Sequence, residues 1–108
     1  MKNTDKVKIV LTVPVTHADI VRDAIGKAGG GQIGNYSFCS FSSKGTGRFL
    51  PNEKANPTIG KAGKLELVEE ERIEIVCQRE IVRDVIIAIK KVHPYEEVTL
   101  DMYALEDC

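Results

Sequence analysis

Two helix-like segments of the chain carry the same word, Ile-Val-Arg-Asp, at residues 20–23 and 81–84, and each lies between two strand-like runs. Apolar residues alternate along residues 7–13 and 98–104, which is typical of strands with one buried face. The order strand, helix, strand, strand, helix, strand describes two βαβ halves. Because such crossovers are right-handed, it predicts an α+β ferredoxin-like βαββαβ sandwich, with one four-stranded antiparallel sheet under two helices.

Residues that break regular structure predict where these elements end. Pro14 ends the first strand, Thr16 followed by Asp19 predicts a capping box for the first helix, and Pro94 ends the second helix. Residues 29–31 are three glycines that end the first helix, and with Gly34 they match the pattern G-x-G-x-x-G. A dinucleotide site needs this pattern before a helix, so the glycines instead predict turn positions with positive φ.

The middle of the chain predicts a strand and then a long loop. Residues 35–43 are rich in aromatic and hydroxyl side chains, which favours the second strand. Residues 44–64 are rich in glycine, proline and asparagine, which favours a loop between strands two and three. Loops of this length are uncommon in compact domains and are often functional, so we expect it to form part of a site. A floppy hairpin connection is the alternative.

Two helices cover only one face of a four-stranded sheet. The other face, where Val10 and either Tyr36 or Phe38 are expected to point, would meet water or a partner subunit. We therefore expect a homo-oligomer joined through this face or through strand edges around Cys39 and Cys77. The alternatives are a monomer shielded by polar side chains and a twofold dimer, the commonest oligomer.

The composition of the chain limits the classes of partner that it is expected to bind. The 108 residues predict one domain, 1–108, and 15 basic against 16 acidic residues give a net charge of −1, so we expect no nucleic-acid partner. No apolar run approaches the roughly 20 residues of a membrane span, and no signal peptide is apparent. These features predict no membrane partner and a cytoplasmic location. Three cysteines without C-x-x-C spacing predict reduced thiols.

Residues 93–97, His-Pro-Tyr-Glu-Glu, place an imidazole, a phenol and two carboxylates at a helix-to-strand corner. His93, Glu96 and Glu97 are the candidate ligands for a divalent metal ion. The alternative is structural, with His93 bonding the last helical carbonyls and Pro94 ending the helix. The structural role is favoured because no second histidine or C-x-x-C pair supplies the missing ligands.

Arg48 and Asn56 are the candidate ligand-binding residues of the long loop. The planar donor fork of Arg48 suits a carboxylate or phosphate, which predicts a small anionic ligand. A salt bridge to one of the glutamates at 69–71 is the alternative. The candidate binding residues are thus Arg48, Asn56, His93, Tyr95, Glu96 and Glu97. No catalytic residue is assigned, since no serine lies in a nucleophile elbow and Cys39 is expected to pack inertly.

Four words of the sequence occur in the order found in a known family. They are GNYSFCSF at 34–41, GTGRFLP at 45–51, ANPTIG at 55–60 and HPYEE at 93–97. Together they resemble the YqfO-type family, stand-alone relatives of a domain inserted into Ngg-interacting-factor-three-like proteins. The resemblance spans nearly the whole chain. It implies a PII/CutA-like variant of the ferredoxin-like fold and, since PII and CutA proteins are commonly trimers, a trimer rather than a dimer.

The resemblance also bears on activity. Full-length members of the larger family are named GTP cyclohydrolase type two homologues, and their dinuclear metal centre lies in the domain that flanks the insert. This chain resembles the insert alone, so the resemblance implies a small oligomeric binding or regulatory module without that centre. The alternative is a metal-dependent hydrolase, or an accessory subunit of a separate catalytic chain.

Overall fold

Four strands and two helices follow one another in the predicted order. The structure is a computed structural model that describes residues 3–107. Its elements are β1 (Asn3–Pro14), α1 (Ala18–Lys27), β2 (Phe41–Phe49), β3 (Glu66–Gln78), α2 (Val82–Val92) and β4 (Leu100–Glu106). A short 3₁₀ turn precedes each helix, at Val15–His17 and Arg79–Ile81.

The sheet has the strand order β2-β3-β1-β4, and every neighbouring pair is antiparallel. β1 and β3 lie in the middle, in a register that sets Val7 opposite Cys77 and Leu11 opposite Ile73. Both helices cover the face that carries these residues, which confirms the ferredoxin-like architecture. Cys77 therefore lies in an inner strand and is buried, so the outer edges of the sheet are those of β2 and β4.

The core consists of alternate residues of the two middle strands and one stripe of each helix. This spacing follows from the period of two in a strand and of 3.6 in a helix. Ten of the residues buried there are Val7, Ile9, Leu11, Val13, Val21, Ile25, Ile73, Ile75, Val85 and Ile89. Cys77 joins this cluster, and burial raises the pKa of its thiol. Cys39 is half-buried and also free, whereas Cys108 lies outside the described residues.

The predicted bounds of the second strand were wrong. Residues 35–40 precede β2, and the long loop runs over residues 50–65 rather than 44–64. Strand propensity placed the strand on the aromatic residues, but the glycine-containing stretch that follows them pairs with β3 through backbone hydrogen bonds alone. Phe38 does not point to the uncovered sheet face, because its ring lies against Gly26 of α1. Tyr36 forms an isolated bridge with Ile33 outside the sheet.

The capping box predicted for α1 does not form. The hydroxyl of Thr16 pairs with Nδ1 of His17 at 2.9 Å, and the first residue of α1 is Ala18, with no side-chain cap. The other boundary predictions are confirmed. β1 ends at Pro14, α2 ends before Pro94, and the glycines after α1 include two with positive φ, Gly29 and Gly31.

The sheet face away from the helices is more polar than the sequence predicted. Lys8 and Arg72 both pair with Glu74, at 3.3 and 3.2 Å, and these two cations lower the pKa of that carboxyl group. Val10 lies opposite Glu74 and is only 5 % exposed. These charged side chains cover the middle of the face, whereas Phe41 opposite Glu74 and Tyr103 opposite Lys8 are exposed at its two sides. Within residues 3–107, no helix is long and apolar enough to cross a membrane.

We predict that Gly31→Ala destabilises the fold more than Gly34→Ala does. Gly31 has a φ of 79°, donates to the carbonyl of Val76 at 2.9 Å and accepts from the N–H of Cys39 at 2.8 Å. An added Cβ would overlap the Cys39 backbone, whereas at Gly34, with φ 55°, nothing lies near. The left-handed conformation alone costs roughly 1–2 kcal/mol, and overlap adds about 1–3 kcal/mol. Urea unfolding measures both, and equal losses would contradict the overlap.

Candidate functional site

The ribbon of β2 and β3 extends beyond the end of β1. β1 stops where Pro14 faces Glu70, but β2 and β3 remain paired out to Phe49 and Glu66. We call this projecting part, residues 45–49 and 66–70, the arm. It helps to make the molecule elongated, with extents of 46 × 26 × 23 Å. Residues 50–65 form the loop at its end, and residues 93–97, the corner, lie between α2 and β4.

His93 fastens the corner to β1. Its Nε2 donates to the carbonyl oxygen of Thr12 at 2.8 Å, and its Nδ1 accepts from the N–H of Tyr95 at 3.2 Å. These partners require the neutral ring, because a carbonyl only accepts and an amide N–H only donates. Burial lowers the pKa of His93, while the hydrogen bond to the Thr12 carbonyl and the charge of Glu70 act to raise it. The predicted structural role is thus present, although the ring bonds a strand carbonyl rather than a helical one.

Tyr95 connects the corner to the arm. Its hydroxyl donates to Oε2 of Glu70 at 2.9 Å, and its ring meets that of Phe49 edge-on, with centroids 5.8 Å apart. Burial, and next the hydrogen bond to this carboxylate, raise the pKa of Tyr95, so the phenol stays protonated and remains a donor. Glu70 itself is only 7 % exposed. A Cβ at Gly47 would overlap Oε1 of Glu70, so the missing side chain there makes room for the carboxylate.

The loop folds onto the corner. The backbone N–H of Asn56 donates to Oε1 of Glu96 at 2.9 Å, and the hydroxyl of Thr58 donates to the carbonyl of Pro94 at 2.5 Å. Loop and corner therefore lie against each other, and their joint role as a binding site stays a prediction. Asn56 contributes its backbone N–H here.

A cavity of about 480 Å³ lies where arm, loop and corner meet. Apolar side chains make much of its wall, namely Phe49, Leu50, Pro51, Ala55, Pro57 and Ile59. Its polar side chains include Arg48, Glu70, Tyr95, Glu96 and Glu97. Of the six predicted ligand-binding residues, Arg48, Tyr95, Glu96 and Glu97 line the cavity, whereas Asn56 and His93 support its wall from outside.

Arg48 is an exposed guanidinium on this wall. In the part of the chain that the structure describes, it makes no ion pair, so the alternative of a salt bridge to residues 69–71 is not formed. Glu71 pairs instead with Arg22 at 2.5 Å. The donor fork of Arg48 is therefore available to a ligand.

The metal-ligand prediction stays a prediction. Among residues 3–107, no three or more His, Cys, Asp or Glu side chains are grouped so that they could hold a metal ion. Both ring nitrogens of His93 have partners within the chain, and one oxygen of Glu96 accepts the Asn56 N–H. Sequence reasoning missed Glu70 and Gly47, because a glutamate within a run of glutamates and a glycine near others carry no signal of burial.

We predict that the free energy of unfolding decreases as the pH falls below about 6.5, the ordinary pKa of histidine. The unfolded chain takes up the His93 proton before the folded chain does, so this contribution is complete above that pH and is lost below it. The slope for one proton is at most about 1.4 kcal/mol per pH unit. His93→Gln should remove this component, and His17→Ala should keep most of it, because the charge of His17 is the smallest of the causes that shift the pKa of His93, in urea unfolding from pH 5 to 7.5. An unchanged slope in His93→Gln would contradict the assignment.

Curated relatives match most of this chain. The GTP cyclohydrolase 1 type 2 homolog of Halalkalibacterium halodurans is 54 % identical over 98 residues, which are 91 % of this chain and 26 % of that protein. The homolog of Bacillus subtilis is 48 % identical over 99 residues, 92 % of this chain and 26 % of its own length. The chain thus spans about a quarter of the length of these relatives. No family model matches the chain.

Solved structures agree on the fold. A Bacillus cereus protein related to NIF3 superposes with a TM-score of 0.83 at 48 % identity, over 99 % of this chain and 27 % of the other. CutA from Archaeoglobus fulgidus superposes with a TM-score of 0.67 at 15 % identity, over 95 % of this chain and 86 % of the other. The B. subtilis GlnK–ATP complex superposes with a TM-score of 0.61 at 18 % identity, over 94 % of this chain and 83 % of the other. The chain is therefore a relative of one segment of the GTP cyclohydrolase 1 type 2 homologs and of the NIF3-related protein, with the fold of CutA and GlnK.

Proposed function

We propose that this chain is a small binding or regulatory module that takes a ligand with an anionic group in the cavity between arm, loop and corner. One observation carries the proposal: Arg48, exposed and without an ion pair among the described residues, stands on the wall of a cavity of about 480 Å³. This volume lies within the range of small-molecule sites. The CutA and GlnK fold supports a small module but does not identify its ligand.

Two kinds of side chain on the cavity wall would contact the ligand. The guanidinium fork of Arg48 matches the paired oxygens of a carboxylate or phosphate. Phe49, Pro51 and Ile59 offer apolar surface to the remaining body of the ligand. The two hydrogen bonds from the loop to the corner hold these walls in place before a ligand arrives, which lowers the entropy lost on binding.

We predict that Arg48→Ala weakens the binding of benzoate, a carboxylate on an apolar ring, by about tenfold or more, the loss expected for one charge-assisted hydrogen bond. Arg48→Lys should give an intermediate affinity, because it keeps the charge and loses the fork. Lys44→Ala is the matched control, since Lys44 is an exposed cation of β2 that does not line the cavity. Isothermal titration measures all four proteins, and equal losses for Arg48→Ala and Lys44→Ala would remove Arg48 from the site.

The second part of the proposal is self-association, with a trimer expected. The radius of gyration is 15.1 Å, against roughly 13 Å for a compact chain of this size. The arm and the loop ends beside it expose Leu50, Leu65 and Leu67, each about half exposed or more. The edges of β2 and β4 also leave backbone groups unpaired. A closed ring of subunits would cover these surfaces.

We predict a mass of three times the 11.9 kDa subunit by light scattering at micromolar concentration. Leu67→Glu should lower this mass, because it places a charge where the arm is expected to be buried. Lys61→Glu is the control, since it changes an exposed polar position of the loop. A mass of one subunit would overturn self-association, and a mass of two would replace the trimer with a dimer.

A further inference from the structure

Glu70 is a buried carboxylate with little compensation. Only 7 % of the residue is exposed, and no cation of residues 3–107 forms an ion pair with it. The hydroxyl of Tyr95 holds Oε2 at 2.9 Å. Oε1, which lies against Gly47, has no hydrogen-bond partner in the described part of the chain. A carboxylate buried in this way is costly unless a cation or further donors satisfy it.

The position of Glu70 points this free acceptor at the cavity. The residue lines the cavity together with the Tyr95 that holds it. No described side-chain oxygen is both fully buried and without a partner, so the free oxygen of Glu70 keeps some accessible surface, and Gly47, against which it lies, also lines the cavity. A group that enters the cavity can therefore reach it.

The charges of the cavity wall favour the same kind of group. Among the described side chains that line it, Arg48 is the one cation, against the carboxylates of Glu70, Glu96 and Glu97. Glu96 and Glu97 are exposed, so water screens them, while the field of buried Glu70 is screened less. A purely anionic ligand would meet net repulsion everywhere except beside Arg48. A ligand that also carries a positive N–H group would meet attraction at both ends.

We propose that Glu70 receives a protonated amine, or another cationic N–H group, of the ligand, so that the ligand class is amphoteric: a cationic N–H group at Glu70, an anionic group at Arg48 and an apolar body between them. The inference rests on the proposed function, because it uses the same cavity. Gly47 gives the carboxylate its space, and Tyr95 leaves one oxygen free for the ligand. The ligand donates the hydrogen bond and supplies the missing counter-charge.

The test compares three ligands of one shape. Benzylammonium carries the cation, benzyl alcohol is its neutral counterpart and benzoate carries the anion. By calorimetry, the wild-type chain should bind benzylammonium at least about tenfold more tightly than benzyl alcohol, as a charge-assisted bond to a buried carboxylate requires. Glu70→Gln should abolish that difference. Glu69→Gln, an exposed neighbour that does not line the cavity, should keep it.

The outcomes distinguish this inference from the proposed function on which it rests. Equal affinities of benzylammonium and benzyl alcohol for the wild-type chain overturn the role of Glu70, whether or not Glu70→Gln folds. If benzoate still binds through Arg48 in that case, the anion site stands alone. If benzylammonium depends on Glu70 while benzoate does not bind, the anion site is overturned and the amine site stands. Failure of all three ligands overturns both.

Discussion

The hydrogen bond from His93 to the carbonyl of Thr12 is the contact on which the cavity depends. It joins the end of α2 to the middle strand β1, and so it fixes where the chain leaves the helix and in which direction it runs. The bond needs a neutral ring, because the second nitrogen accepts the N–H of Tyr95 and thereby turns that residue toward the arm. Burial of the ring favours this neutral form. A single imidazole thus sets the position of the corner, and the corner in turn holds the loop.

Tyr95 and Glu70 extend this constraint from the middle of the sheet to its projecting end. Beyond the end of β1, the arm is joined to the corner by the hydrogen bond of the Tyr95 hydroxyl to Glu70 and by the edge-on contact of the Tyr95 ring with Phe49. Gly47 permits both, because any side chain there would displace the carboxylate. A buried carboxylate is a poor choice for stability alone, since an apolar residue of similar size is often neutral or better. Its presence at a cavity wall is easier to understand if the carboxylate also meets a ligand.

The sequence predicts the architecture well because periodicity and breaking residues report on local structure. The alternation in β1, the apolar stripe of α2, Pro14 and the glycines after α1 each act within a few residues. The prediction failed where the structure of a segment depends on a partner that is distant in sequence. The position of β2 is set by pairing with the glutamate-rich start of β3, and the burial of Glu70 is set by Tyr95, which lies 25 residues away. For the cavity, the loop, the corner and Arg48 were named from the sequence, but the pairing of residues 45–49 with residues 66–70 was not predicted, because glycines and glutamates are typical of exposed surface.

The sequence posed two alternatives for residues 93–97, a structural corner or a metal site, and the structure shows the structural role at two of these residues. His93 and Pro94 are structural, since the ring bonds Thr12 and the Pro94 carbonyl accepts the hydroxyl of Thr58. Tyr95 donates a hydrogen bond to Glu70 and also lines the cavity. The side chain of Glu97 is exposed and lines the cavity. The bonds that hold the corner leave one oxygen of Glu70 and the fork of Arg48 without a partner among the described residues, and these are the polar groups of the cavity wall that the proposed ligand would satisfy.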